Sequence, residues 1–117
     1  MKDINPKRGE IWLVEFQPKV GSEIEKTRPA VIINIPGIVS STRIIVPIRE
    51  QKEHHKKVSF YVPLEPGNYN GLKKKSTIDC LQIKSFDLHR FQKRLGKITT
   101  DQLEEITKLI AIEVGYI

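Results

Sequence analysis

A small, mainly β barrel closed by one C-terminal α-helix is the fold that this chain of 117 residues predicts. Three observations lead there. Five or six short extended segments, punctuated by Gly, Pro, Asn and Ser, precede a single segment of helical periodicity. Hydrophobic residues make up 38% of the chain, and a chain of this size buries well over half of its unfolded surface, so residues 1–117 are expected to form one domain around one core. No apolar run approaches the ~20 residues of a membrane-spanning helix, and Met1-Lys2-Asp3-Ile4 is not followed by the hydrophobic region of a signal peptide. The expectation is a cytoplasmic protein with no membrane partner.

The first extended segment, Gly9 to Phe16, is apolar at successive positions (Ile11, Trp12, Leu13, Val14, Phe16) and suits a central strand covered on two sides. A polar loop from Gln17 to Thr27 follows, and Pro29 sits where the next strand, Ala30 to Ile35, begins. Pro36-Gly37 and Ser40-Ser41 mark a turn. Thr42 to Glu50 then alternates, with Ile44, Val46 and Ile48 on the face expected to be core and Arg43, Pro47 and Arg49 on the other. Pro47 predicts an edge position or a bulge, because it cannot donate to a ladder. Val58, Phe60, Val62 and Leu64 form the core face of a fourth strand, ended by Pro66-Gly67 and Asn70-Gly71. Thr77 to Ile83 is read as a fifth, with Ile78 and Cys80 inward and Thr77, Asp79 and Leu81 available to a site. Leu95 to Ile98 is a last short strand, and Thr99 or Thr100 caps the helix. Its apolar stripe runs through Leu103, Ile106, Ile110 and Val114, widened by Leu109 and Ile112, and packs on the barrel or on a second subunit.

Twenty Lys and Arg against fourteen Asp and Glu leave a formal charge of +6, which favours polyanionic partners through phosphate contacts and counterion release. Basic residues gather at Lys73-Lys74-Lys75 and at Arg90, Lys93, Arg94 and Lys97, with Tyr61 and Tyr69 as candidate stacking groups for unpaired bases. Cys80 is the only cysteine, so no intrachain disulfide forms, and its strand context reads as buried. His54 and His55 lie in a run of charged residues and read as a surface pair. No His/Cys spacing suits a metal, and neither a phosphate-loop glycine motif nor a nucleophile elbow is present. No cofactor is expected.

Taken together, Lys7-Arg8-Gly9-Glu10-Ile11-Trp12-Leu13-Val14, Val20-Gly21-Ser22-Glu23, Thr27-Arg28-Pro29-Ala30-Val31-Ile32, Leu81 to Asp87 and Arg94-Leu95-Gly96-Lys97-Ile98 resemble the MazF/PemK/Kid family, in order and over nearly the whole chain. The resemblance implies an SH3-like barrel, shared with the fold relative CcdB, and usually a homodimer. It further implies a toxin that cuts single-stranded RNA at short sequences without metal, leaving 2′,3′-cyclic phosphate and 5′-hydroxyl ends, and that a cognate antitoxin neutralises.

Such cleavage needs a base for the 2′-hydroxyl, cations for the phosphorane and an acid for the leaving oxygen. Arg28 matches the family's active-site arginine, and its planar guanidinium holds two phosphate oxygens at any relevant pH. Ser22 and Glu23 match the substrate-contacting loop. The chain departs from the family pattern at Arg49, where many members have a threonine, and at Asp79 and Leu81, where some have an arginine and an aspartate. We therefore expect Arg28, Arg49 and Asp79 as the catalytic cluster, with Asp79 as base, and Ser22, Glu23, Thr27, Arg43, Thr77 and Gln82 as RNA contacts. A binding module without turnover, on RNA or on gyrase as CcdB binds it, is the alternative.

Overall fold

A computed structural model describes residues 4–17 and 26–116. Seven strands and one helix follow in order: β1 (Glu10–Gln17), β2 (Lys26–Ile32), β3 (Thr42–Glu50), β4 (Tyr61–Leu64), β5 (Ser76–Asp79), β6 (Lys84–Asp87), β7 (Phe91–Lys97) and α1 (Thr100–Glu113). All pairings are antiparallel, in the spatial order β4-β5-β3-β2-β1-β7, with β6 branching from β3. Among the described residues this path does not close on itself, so the barrel is a bent, half-open sheet. No described helix is long and apolar enough to cross a membrane.

Strand alternation divides the apolar residues between two cores. Ile11, Val31, Val46, Ile48, Ile78 and Cys80 face one way, where α1 covers them through Ile106, Leu103 and Leu109. Trp12, Val14, Ala30, Ile32, Ile45 and Phe91 face the other, joined by Phe16 and Phe86. The expected two-sided burial of β1 follows from this division. Thr99 is the helix cap: its hydroxyl accepts from the Gln102 N–H at 3.1 Å while the Gln102 amide oxygen accepts from the Thr99 N–H at 2.8 Å. Such a reciprocal box is worth about 1 kcal/mol.

Several expectations need correction. Ile44 is 38% exposed and Ile45 is buried, because β3 carries apolar residues on both faces and its first residues extend past the helix-covered core. β2 starts at Lys26 and stops at Ile32, placing Pro29 inside the strand opposite Leu13. Pro47 lies in the middle of the sheet and not at an edge. The Ile33 N–H donates to the Ile44 carbonyl, which makes 31/46 a hydrogen-bonded pair and leaves Pro47 opposite Ala30 in a pair that needs no N–H. The Pro47 nitrogen therefore faces the other side, where β3 passes from β6 (residues 42–45) to β5 (residues 48–50). The reading of Thr77 to Ile83 as one strand also fails: the chain leaves β5 at Asp79, makes a 3-10 turn over Cys80–Gln82, and re-enters as β6. Val114 and Ile112 at the end of the helical stripe are exposed.

The Asn70-Gly71 turn is held against β7. The buried Asn70 side chain accepts from the Gly67 and Leu72 N–H groups and donates to the Glu65 carbonyl. A Cβ on Gly96 would lie 2.3 Å from the Tyr69 carbonyl oxygen, with backbone that cannot yield. Gly96→Ala is expected to destabilise the protein by about 3 kcal/mol, whereas Gly37→Ala, with open space at its Cβ, costs about 1 kcal/mol for its left-handed backbone alone. Urea denaturation of the two variants checks both values.

Candidate active site

The cleft is the outer continuation of the second core face. On β2 the period of two that buries Ala30 and Ile32 brings Arg28 and Lys26 to the same side; on β3 it does the same for Pro47 and Arg49. Arg28 and Arg49 both line the cleft, beyond the last β2–β3 pair, Ala30 and Pro47. Phe16 from β1, Asp79 from β5, Gln82 from the 3-10 turn, and Lys84 and Phe86 from β6 complete the walls of a cavity of about 340 Å³. Among the described residues four cations and one carboxylate thus line a cleft flanked by two aromatic rings, which meet edge to face at 5.1 Å.

At its base lies a fixed ion pair. Arg49 Nη1 donates to Asp79 Oδ2 at 3.2 Å and to the Tyr61 hydroxyl at 3.2 Å. Tyr61 stands directly across the β4–β5 ladder from Asp79, so register alone brings the phenol to the guanidinium. The second carboxylate oxygen, Oδ1, accepts from the Leu81 N–H at 3.1 Å and starts the 3-10 turn. Asp79 is 1% exposed, while 40% of the Arg49 side chain remains accessible. The carboxylate is therefore an anchor below the guanidinium, whose remaining donors are left for a ligand. Arg28, partly buried, forms no ion pair with any described carboxylate.

The other expected contacts separate. Ser22 and Glu23 lie outside the described residues. Gln82 lines the cleft. Thr27 is exposed but alternation puts it on the opposite face of β2 from Arg28. Arg43 is a clamp remote from the cleft: Nε donates to the Pro6 carbonyl, Nη1 to the Ser40 and Thr42 carbonyls, and Nη2 to the Asn5 side chain. Four of its donors thus hold the N-terminal segment to the β2–β3 loop, and none of this geometry addresses RNA. Thr77 is 2% exposed, with its hydroxyl 3.3 Å from His55 Nδ1, and does not reach the cleft. Lys26, Lys84, Phe16 and Phe86 were missed; the alternation of β1, β2 and β6 around one face is the signal that finds them.

His55 is buried, contrary to the reading of His54-His55 as a surface pair. Its ring packs edge-on against Tyr61 at 5.0 Å, and Nδ1 accepts the Lys52 N–H at 3.0 Å, which puts the proton of the neutral ring on Nε2. Burial, and then the nearby His54 and Arg49 charges, lowers the imidazole pKa below its ordinary value. Burial likewise pushes the Cys80 thiol up to about 12, which removes it as a nucleophile. Among the described residues no group of three His, Cys, Asp or Glu side chains converges as a metal site requires.

The unfolded chain takes up a proton on His55 near the ordinary histidine value of about 6.5 and the folded chain resists it. Unfolded protein then binds more protons, so the His55 contribution is fully present above that value and is lost as pH falls through it. Urea midpoints of the wild type are expected to drop between about pH 7.5 and pH 5.5, and those of His55→Gln to change less over the same range.

Comparison with known proteins bears on the family and the fold. A family model described as PemK-like, MazF-like toxin of type II toxin-antitoxin system matches residues 7–114. The Endoribonuclease MazF of Staphylococcus saprophyticus is 31% identical over 110 residues, spanning 93% of this chain and 91% of that protein. Among solved structures, MazE-MazF from Deinococcus radiodurans superposes with a TM-score of 0.78 at 21% identity, covering 97% of this chain and 98% of that one. A mycobacterial endoribonuclease in complex with its cognate antitoxin gives a TM-score of 0.72 at 15% identity, covering 95% and 96%. These two likenesses are of fold. With the family match over nearly its whole length and a relative of this identity, the chain belongs to the PemK-like, MazF-like toxin family of type II toxin-antitoxin systems.

Proposed function

We propose that this family member is a metal-independent endoribonuclease that cuts single-stranded RNA in the cytoplasm and is held inactive by a cognate antitoxin. The observation that carries the reading is the pair Arg28 and Arg49 lining one cleft, with Lys26 and Lys84 in the same walls. Its relative in Staphylococcus saprophyticus is named an endoribonuclease, and the aromatic walls Phe16 and Phe86 suit unpaired bases.

In the reaction the 2′-oxygen attacks the adjacent phosphorus, a 2′-O–P bond forms, and the P–O5′ bond breaks. The 2′-hydroxyl proton passes to solvent water and another proton reaches the 5′-oxygen, giving a cyclic phosphate and a free hydroxyl. Arg28 and Arg49 meet the extra negative charge of the phosphorane with fixed donors, the electrostatic stabilisation that dominates such steps. We assign Asp79 to positioning Arg49: both of its oxygens are engaged and it is 1% exposed, which does not suit the role of base expected from sequence. Lys26 and Lys84 are the acids at hand for the leaving oxygen. The engaged carboxylate is also the observation that favours the second reading, RNA binding without turnover.

Purified protein incubated with mixed-sequence single-stranded RNA in EDTA is expected to give discrete fragments with cyclic phosphate ends. Arg28→Ala is expected to slow this on the order of 100-fold or more. RNA left intact by wild-type protein while still bound would establish the second reading.

A further inference from the structure

β2 and β3 pair only at Ala30, Val31 and Ile32 against Pro47, Val46 and Ile45. Pro29 lacks the N–H that would continue this ladder, and the pairing of β2 with β3 ends there. A second groove of about 490 Å³ opens here, with Arg28 and Pro29 from β2 and Ile48 and Arg49 from β3 in its walls. The same two arginines line the cleft, so the two spaces meet at them. Away from the cleft the groove is bordered by Lys52, Lys73 and Lys74, all exposed, over a floor that includes Leu72. Among the described residues Glu50 is the one acidic group there, 3.9 Å from the Lys74 ammonium.

The lysine loop is built and not loose. Its first N–H, on Leu72, is held by the buried Asn70 side chain, and its last carbonyl, on Lys75, accepts from the Gln51 N–H at the end of β3. Gly71, at φ 71°, makes the turn, and a Cβ there would lie 2.2 Å from the Leu95 carbonyl oxygen. Lysines presented on a fixed loop bind an anion without first losing much backbone freedom.

We propose that this groove is the path by which single-stranded RNA leaves the cleft on one side: the phosphates flanking the scissile one pass over Lys52, Lys73 and Lys74, and one unpaired base rests on Leu72. The proposal rests on the ribonuclease reading for the place of the scissile phosphate. A polyanion fits the groove by charge, a flexible single strand fits the bend between the two spaces, and the apolar floor fits a base.

Fluorescent 2′-O-methyl RNA of randomised sequence, about 3 and about 10 nucleotides long, probes the groove without being cut. Lys73→Ala/Lys74→Ala is expected to bind the long probe about tenfold more weakly than wild type while binding the short one equally. The slope of log affinity against log salt for the long probe should become shallower by about 1.4, the value for two lost phosphate contacts on a single strand. Lys57→Ala/Lys108→Ala removes the same charge elsewhere and is expected to leave both probes unaffected. Equal affinity of wild type and the Lys73/Lys74 variant for the long probe, or an equal loss in the Lys57/Lys108 variant, would overturn the groove. Wild-type protein that binds the long probe in this manner yet leaves unmodified RNA uncut supports the groove and overturns the ribonuclease reading alone.

Discussion

Two prolines that cannot donate hydrogen bonds decide where this sheet is continuous and where it opens. Pro47 points its nitrogen at the gap between β5 and β6, so β3 changes partner there without breaking a ladder bond. Pro29 points its nitrogen toward β3, and the β2–β3 ladder stops beside it. The first allows the bend that curls the sheet around the helix-covered core. The second ends the β2–β3 pairing just before Arg28 and Arg49, the two residues that line both the cleft and the neighbouring groove.

The electrostatics follow from that geometry. An arginine beyond the end of a ladder would ordinarily be mobile and hydrated, and an exposed ion pair would fix it weakly. Here the partner is buried: Asp79 closes β5, its second oxygen caps the turn that starts the path to β6, and Tyr61 supports the guanidinium from the adjacent strand. A single side chain thus ends a strand and orients the arginine at the site. Removing it would leave a partly desolvated cation without its counter-charge and the 3-10 turn without its cap. The same carboxylate cannot serve as base without releasing one of these contacts.

Much of this was legible in the sequence where one physical rule dominates. Thr42 to Glu50 has the bounds of β3, and Thr99 with Gln102 is a capping box written in residue types. Arg28, Arg49 and Asp79 converge because strand alternation and antiparallel register are nearly deterministic once the strands are placed. What stayed hidden depends on contacts distant in sequence. Arg43 grips Asn5 and Pro6, which no local pattern reveals. His55 is buried from within a charged run because its ring packs on Tyr61 while its neighbours point outward. The break at Asp79 had a local signal, an aspartate able to accept from the N–H two residues on, but the apolar residues Cys80, Leu81 and Ile83 masked it.

The central claim is that Asp79 acts through Arg49, and a double-mutant cycle on single-turnover RNA cleavage tests it most directly. Rates of wild type, Arg49→Ala, Asp79→Asn and the double variant separate a shared role from two independent ones. The account predicts that Asp79→Asn slows cleavage in the wild-type background and adds almost nothing once Arg49 is gone. Full additivity of the two losses would contradict it, placing the Asp79 carboxylate on the RNA itself.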